Sequence, residues 1–204
     1  MTLNAVMQQR QLVLRRGASP VLVLPLDQGG RYRLVAPDAA GIDAAVAALE
    51  AVSGVAVLPA DGGLLGAMTV SGNLSLALRH GQEVDATILR EWEHELQLAF
   101  RLCGVGEERL RALGREQPMR LEPMERWLVG FVLRLLRPAE VLVLDRVFAG
   151  LSRREAERAL AVEAVYHEFH PFRPTLFVDL DTHALPELPD CRQTVELEAA
   201  ACPS

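Results

Sequence analysis

The chain has 204 residues, half of them apolar and 24% charged, with a formal net charge of −6. That length suits one domain, or one domain with a subdomain, and is enough to bury a real core. The acidic balance argues against a surface built to neutralise nucleic-acid phosphates. All 21 basic residues are arginine, which excludes chemistry that needs a lysine, such as a Schiff base. Cys103, Cys191 and Cys202 have no CxxC spacing, so neither a zinc site nor a disulfide framework is indicated and a reducing cytoplasm fits. The first ten residues lack an apolar h-region, and the apolar run Trp127–Leu133 is far too short to span a bilayer. Membrane contact is therefore expected only through a partner.

Gln11–Leu14 and Val21–Leu26 alternate or run apolar, and the turn signal RGASP between them predicts an antiparallel pair. Tyr32–Val35 reads as a third strand, running into the loop APDAAGID. An alanine-rich helix is expected over Asp43–Val52, ending at Ser53–Gly54. Val55–Leu58 is a short buried strand and Pro59–Gly66 a turn-rich loop. Val70–Leu78 has helical spacing, with Val70, Leu74 and Leu78 apolar. From Asp85 to Arg137 the chain is helix-rich. Ile88, Leu89, Trp92, Leu96 and Phe100 share one helical face, which reads as core packing. A second helix opens at Pro123, a residue suited to a first helical position, and runs to about Leu136. Strand Val141–Leu144 ends in Asp145, and Ser152-Arg-Arg-Glu155 is a capping box. Strand Leu176–Val178 and a last strand near Thr194–Leu197 follow.

Strands alternating with helices predict an α/β parallel sheet with right-handed crossovers. Residues 1–84 and 138–204 would form that core, with 85–137 as an inserted helical subdomain. Three other patterns carry little chemistry. His167 and His170 stand at i and i+3, without a third ligand. Ser71-Gly72 is not part of a GxSxG elbow. Asp179 and Asp181 at a strand end suit either a cation or a turn, and their role stays open.

Val141–Ser152, VLVLDRVFAGLS, resembles the metal-binding strand and following loop of ABC transporter ATP-binding subunits. The order of elements matches that family from about Gln11 to Glu198. The resemblance implies a P-loop NTPase-like (RecA-like) core with a helical subdomain and a small N-terminal antiparallel β element. It places Asp145 on the magnesium ligand and Arg146 on the glutamate that polarises the attacking water; a guanidinium accepts no proton near neutral pH. LVAPDAAGID, Leu34–Asp43, is similar to the phosphate loop. Gly41 falls on its last glycine, Ile42 on the lysine, Asp43 on the hydroxyl residue, and Ala36 and Ala40 on glycines. A phosphate site needs backbone N–H groups, a helix start and a cation. Ile42 supplies no charge, and Asp43 at a helix start would satisfy the dipole itself.

Gly63–Gly81 resembles the segment after the family's Q-loop glutamine, whose place falls near Ala60. LEPMER, Leu121–Arg126, stands where the signature motif is expected. Glu122 takes the place of its hydroxyl, and Pro123 and Met124 the place of its glycines; proline also removes an N–H donor. LFVDLDTH, Leu176–His183, resembles the switch-histidine strand, but Leu180 occupies the histidine's place and His183 is three residues out of register. The stretch Asp43–Ala60 is shorter than the family spacing. The aromatic that stacks on adenine, expected near Arg15–Arg16, is missing.

Together these departures imply a degenerate cassette, a structural or regulatory subunit of a transport complex that does not hydrolyse ATP. On this reading the chain has no cofactor and no catalytic residue. Arg146, Leu180 and Ala60 are vestigial catalytic positions, and Asp145 is the one candidate metal ligand. Its partner would be a membrane subunit, another ABC ATPase subunit or a second copy of itself. The Gly63–Arg79 segment is most similar to ATPase subunits of bacterial lipid-trafficking transporters. The alternative is a functional subunit that binds ATP and magnesium in an asymmetric pair. A third possibility is an unrelated α/β binding domain.

Overall fold

Two short turns build the N-terminal sheet. In the computed structural model, which describes residues 2–80, 98–135, 139–180 and 190–198, strands β1 (Leu3–Gln8), β2 (Gln11–Arg16) and β3 (Ser19–Pro25) form an antiparallel sheet in that order. Gln8 pairs with Gln11, so Gln9 and Arg10 alone make the first turn, both with left-handed φ (47° and 59°). The β2–β3 pair is the expected one. Strand β1 was not expected, because its turn carries none of the glycine or asparagine that such φ values favour.

The second sheet has five strands: β4 (Arg31–Ala36), β5 (Val55–Pro59), β6 (Val141–Asp145), β7 (Thr175–Leu180) and β8 (Gln193–Glu196), in the order β5-β6-β7-β4-β8. The pairs β6–β7, β7–β4 and β4–β8 are parallel. All five residues of β6 are buried, the first four of them a continuous apolar run. Each strand expected after Gly30 is present.

Helix α1 (Ala39–Glu50) begins four residues before the expected Asp43. Asp38 is the reason: with extended backbone (φ −145°, ψ 163°), it accepts a hydrogen bond from the Gly41 N–H at 2.7 Å through Oδ1. Ile42, Ala45, Val46 and Leu49 recur at helical spacing and are buried. They share one core with Leu12, Leu14, Leu22 and Leu24 of the first sheet and with Leu34, Val143, Leu176 and Val178 of the second. Helix α1 touches β1 and β2 as well as β4 and β7, so it is a layer between the sheets.

The chain forms two compact units. One holds Met1–Val57, Ala139–Arg146 and His167–Ser204, and with them α1 and both sheets except Leu58 and Pro59 at the end of β5. The other, Leu58–Pro138 and Val147–Tyr166, is helical. It contains α2 (Val70–His80), α3 (Glu107–Leu113), α4 (Pro123–Leu135) and most of α5 (Arg153–Phe169). The helical character expected from Asp85 onward is carried, among the described residues, by 98–102, α3 and α4. Of the expected apolar stripe, Phe100 is buried, whereas Ile88, Leu89, Trp92 and Leu96 lie outside the described residues, as do Asp181 and His183. The capping box is formed: Ser152 N–H donates to Glu155 Oε2 at 2.8 Å, and Glu155 N–H to Ser152 Oγ at 3.3 Å. Among the described residues no helix is long and apolar enough to cross a membrane.

Within the helical unit Trp127 stacks on Phe131 (centroids 5.1 Å apart), and Phe131 meets Tyr166 edge-on at 5.9 Å. Helix α4 also passes against the loop after β5. A Cβ on Gly130 would lie 2.7 Å from Gly62 Cα and closer still to the Gly62 carbonyl oxygen. Gly130→Ala is therefore expected to destabilise the fold by roughly 1–3 kcal/mol through overpacking. An unchanged urea midpoint for this variant would show that the contact has room to give.

Candidate functional site

Because β4, β6 and β7 are parallel, Ala36, Asp145 and Leu180 end at one edge of the sheet, the edge at which open α/β sheets take ligands. Asp145 closes an apolar strand and is 3% exposed. A bare carboxylate there would be costly. The next residue neutralises it. Arg146 has left-handed backbone (φ 46°), a conformation that costs a non-glycine residue about 1–3 kcal/mol. Its N–H donates to the Val178 carbonyl at 2.9 Å. From this turn the side chain folds back onto the residue before it. Nε–H donates to Asp145 Oδ1 at 2.8 Å and Nη2 to Oδ2 at 3.1 Å, a charge-assisted fork. Nη1 lies 2.9 Å from Asp43 Oδ1. The bond to Asp145, more than any other contact, raises the pKa of the guanidinium above its ordinary value.

In Leu34–Asp43, the strand–loop–helix segment similar to a phosphate loop, the loop is two residues long. Ala36 is the last residue of β4, and only Pro37 and Asp38 separate it from α1. Ala40, Gly41, Ile42 and Asp43 are helical. Asp43 is thus not at the helix start, and its carboxylate meets Arg146 instead. Ile42 is fully buried in the core. Beside the helix start is a cavity of about 230 Å³ lined in part by Arg16, Asp38, Gly41 and Glu198. Arg16, near the place where the family has an adenine-stacking aromatic, donates to the Glu198 carbonyl at 3.2 Å and lies 3.8 Å from its carboxylate.

A magnesium triphosphate needs N–H donors at the helix start, a cation for its terminal phosphates and an open carboxylate for the metal. Here Asp38 takes the Gly41 N–H, Ile42 is apolar, and Arg146 takes both oxygens of Asp145. The residues present do not fit that group.

The remaining predicted positions divide between the two units. On β7, Leu180 pairs with Ala36 of β4, and buried Asp179 accepts a hydrogen bond from Leu180 N–H at 2.8 Å. His167 Nε2 lies 3.1 Å from Thr175 Oγ1. Among the described residues no group of three His, Cys, Asp or Glu side chains is placed to hold a metal ion. In the helical unit, Ala60 follows β5 directly. Leu121 and Met124 are buried, and Pro123 opens α4. Glu122 contributes its N–H, which donates to Glu125 Oε2 at 3.1 Å.

Buried Glu125 also receives the Arg109 fork (2.7 and 2.8 Å), and Arg109 bonds Glu116 as well. The bond from Arg109 is the main reason that the Glu125 carboxyl sits below its usual pKa. Sequence reasoning missed Arg109, Glu116 and Glu125, although a glutamate in the first turn of a helix is half of a capping signal. It also missed Asn73. That buried side chain accepts from Leu65 N–H (2.7 Å) and donates to the carbonyls of Leu65 (3.1 Å) and Thr69 (3.0 Å), pinning the loop ahead of α2.

No protein-family model matches the sequence, and no curated protein matches it. Solved structures do. The ATP binding subunit of an ABC transporter aligns with a TM-score of 0.59 and 15% identity, over 89% of this chain and 80% of that one. MJ0796, a bacterial ABC transporter cassette seen as a dimer, aligns at 0.55 and 9% identity, over 87% and 85%. CbiO1 from Clostridium perfringens, part of the ABC transporter complex cbiONQ, aligns at 0.53 and 11%, over 89% and 80%. At these identities the likeness is one of fold. The chain has the P-loop NTPase-like α/β fold of ABC ATP-binding cassettes, as the resemblance implied.

Two measurements probe this arrangement. Asp38→Ala should lower stability by about 1 kcal/mol, the usual worth of a helix N-cap, in chemical denaturation. Glu125→Gln should lower it measurably at neutral pH, because Arg109 then loses a charged acceptor. The sign with pH follows from a carboxyl whose pKa is depressed on folding. Its contribution is full above the unfolded value of about 4.3 and disappears as pH falls through the lower folded value. The variant should accordingly show a shallower acid limb than the wild type. Parallel limbs would mean that Glu125 is not the group responsible.

Proposed function

We propose that this chain is a degenerate ABC cassette, a structural or regulatory subunit of a transport complex that does not hydrolyse ATP. One observation carries the reading. Arg146, aligned with the water-polarising glutamate, holds Asp145, aligned with the magnesium ligand, and Asp43, aligned with the phosphate-loop hydroxyl. Phosphoryl transfer to water needs an acceptor that orients the water and a metal that neutralises the developing charge. A bound guanidinium supplies neither. The capped start of α1, with Ala40, Gly41 and Ile42 inside the helix, supports the same conclusion. So do Ala60, Glu122, Pro123, Met124 and Leu180 at positions where the family places glutamine, hydroxyl, glycines and histidine.

The partner on this reading is another ATPase subunit, a second copy of this chain or a membrane subunit. Support comes from the fold neighbours, one described as a dimeric structure and one as part of a transporter complex. The chain would then work on the cytoplasmic side, reaching the membrane through that partner. Its likeness to lipid-trafficking subunits rests on the sequence Gly63–Arg79, and residues 85–137 are its helical subdomain in this assignment. Calorimetric titration with Mg-ATP, paired with a phosphate-release assay, tests the proposal. The expected result is no heat of binding and no turnover. Micromolar binding with turnover would sink it and favour an active subunit of an asymmetric pair.

A further inference from the structure

We propose that the Arg146 guanidinium is a built-in counter-cation that stands in for a divalent metal at the carboxyl edge of the sheet. It neutralises Asp145, ties the end of β6 to α1 through Asp43, and leaves this edge without affinity for Mg2+ or Mn2+. The geometry is specific. The Asp145 side chain is 4% exposed and each of its oxygens receives an N–H from the same fork. The third guanidine nitrogen reaches Asp43, whose carboxylate is 63% exposed and so keeps most of its water. One positive charge therefore sits between two negative ones, with the residual charge on the solvated side.

A guanidinium suits this place better than a small divalent ion. It is planar, weakly hydrated and matched to a carboxylate, whereas Mg2+ demands near-octahedral oxygen ligands and gives up its waters reluctantly. Being one residue from Asp145, Arg146 also needs no association from solution. The left-handed φ is the accompanying cost, and the N–H bond to Val178 fixes that turn to β7. This inference concerns metal and stability alone. Asp145-dependent Mn2+ binding without ATP turnover would overturn this inference and leave the reading given under Proposed function standing.

The test uses the full chain without nucleotide. Thermal unfolding is followed in chelator and in millimolar Mn2+, alongside Mn2+ binding by electron paramagnetic resonance. Wild type should melt at the same temperature in both buffers and bind no Mn2+. Arg146→Ser should melt lower in chelator, recover part of the loss with Mn2+, and bind Mn2+ at least about tenfold more tightly than wild type. Adding Asp145→Asn should abolish that gain. Arg146→Gly, relieved of the backbone strain, should still melt below wild type. The proposal is overturned by Asp145-dependent Mn2+ binding in the wild type, by an Arg146→Ser or Arg146→Gly variant as stable as wild type, or by an Arg146→Ser variant indifferent to Mn2+. Where Arg146→Ser does not fold in either buffer, the triple variant with Asp43→Asn and Asp145→Asn should recover the fold, since no charge is left to compensate. Its failure to do so would also overturn the proposal.

Discussion

A carboxylate at the end of a fully buried strand constrains everything near it. Strand β6 is five buried residues, and the fifth is Asp145. Removed from water, such a charge is tolerated only when paired and hydrogen-bonded. The local structure follows from that requirement. Arg146 takes a left-handed turn so that its guanidinium reaches back, and Asp43, in the helix facing that edge, closes the other side of the charge. The same helix supplies Ile42, Ala45, Val46 and Leu49 to the apolar core between the two sheets. A polar contact at Asp43 and apolar contacts along one face therefore both hold α1.

The start of α1 poses the complementary problem. The first N–H groups of a helix have no intrahelical partner and, with the dipole, attract an anion. An external phosphate is one answer and a side-chain cap is another. Asp38 gives the second answer with Gly41 N–H. Thus this edge carries its own anion where an outside anion could bind and its own cation where an outside cation could bind. Both use one residue close in sequence to the group it satisfies, Asp38 three positions from Gly41 and Arg146 next to Asp145.

Much of this was legible in the residues, though not all of it for the same reason. Strand β6, helix α4 and the Ser152–Glu155 cap announce themselves, because apolar runs, a proline at the first helical position and paired capping side chains are local signals. Strand β1 escaped because Gln9 and Arg10 adopt φ values for which neither is a usual choice. Helix α3 is seven residues long, too short for a periodic pattern. The start of α1 was read four residues late, since APDAAGID looks like a loop when set beside a phosphate-binding pattern. Asp38 followed by two alanines was the competing signal, and it was the correct one. Arg146 was visible as a substitution. Its bonds were not, because they depend on a backbone angle and on a helix 103 residues away in sequence (146 − 43).

That separation in sequence changes how the two substitutions are understood. Set singly against the resemblance to the ABC family, Asp43 and Arg146 read as losses: one would add negative charge near a phosphate position, the other would remove an acceptor. Taken together they are complementary, a cation held between two carboxylates at 2.8–3.1 Å. On stability alone, an apolar pair at 145 and 146 would serve as well or better, since buried ion pairs seldom outperform well-packed hydrophobes. An apolar pair has no directional preference, however. A fork that accepts one planar carboxylate and offers a third nitrogen to another selects a single position for the helix that carries the second. The triad thus adds a directional contact between α1 and the strand ends to the close packing of the buried leucines.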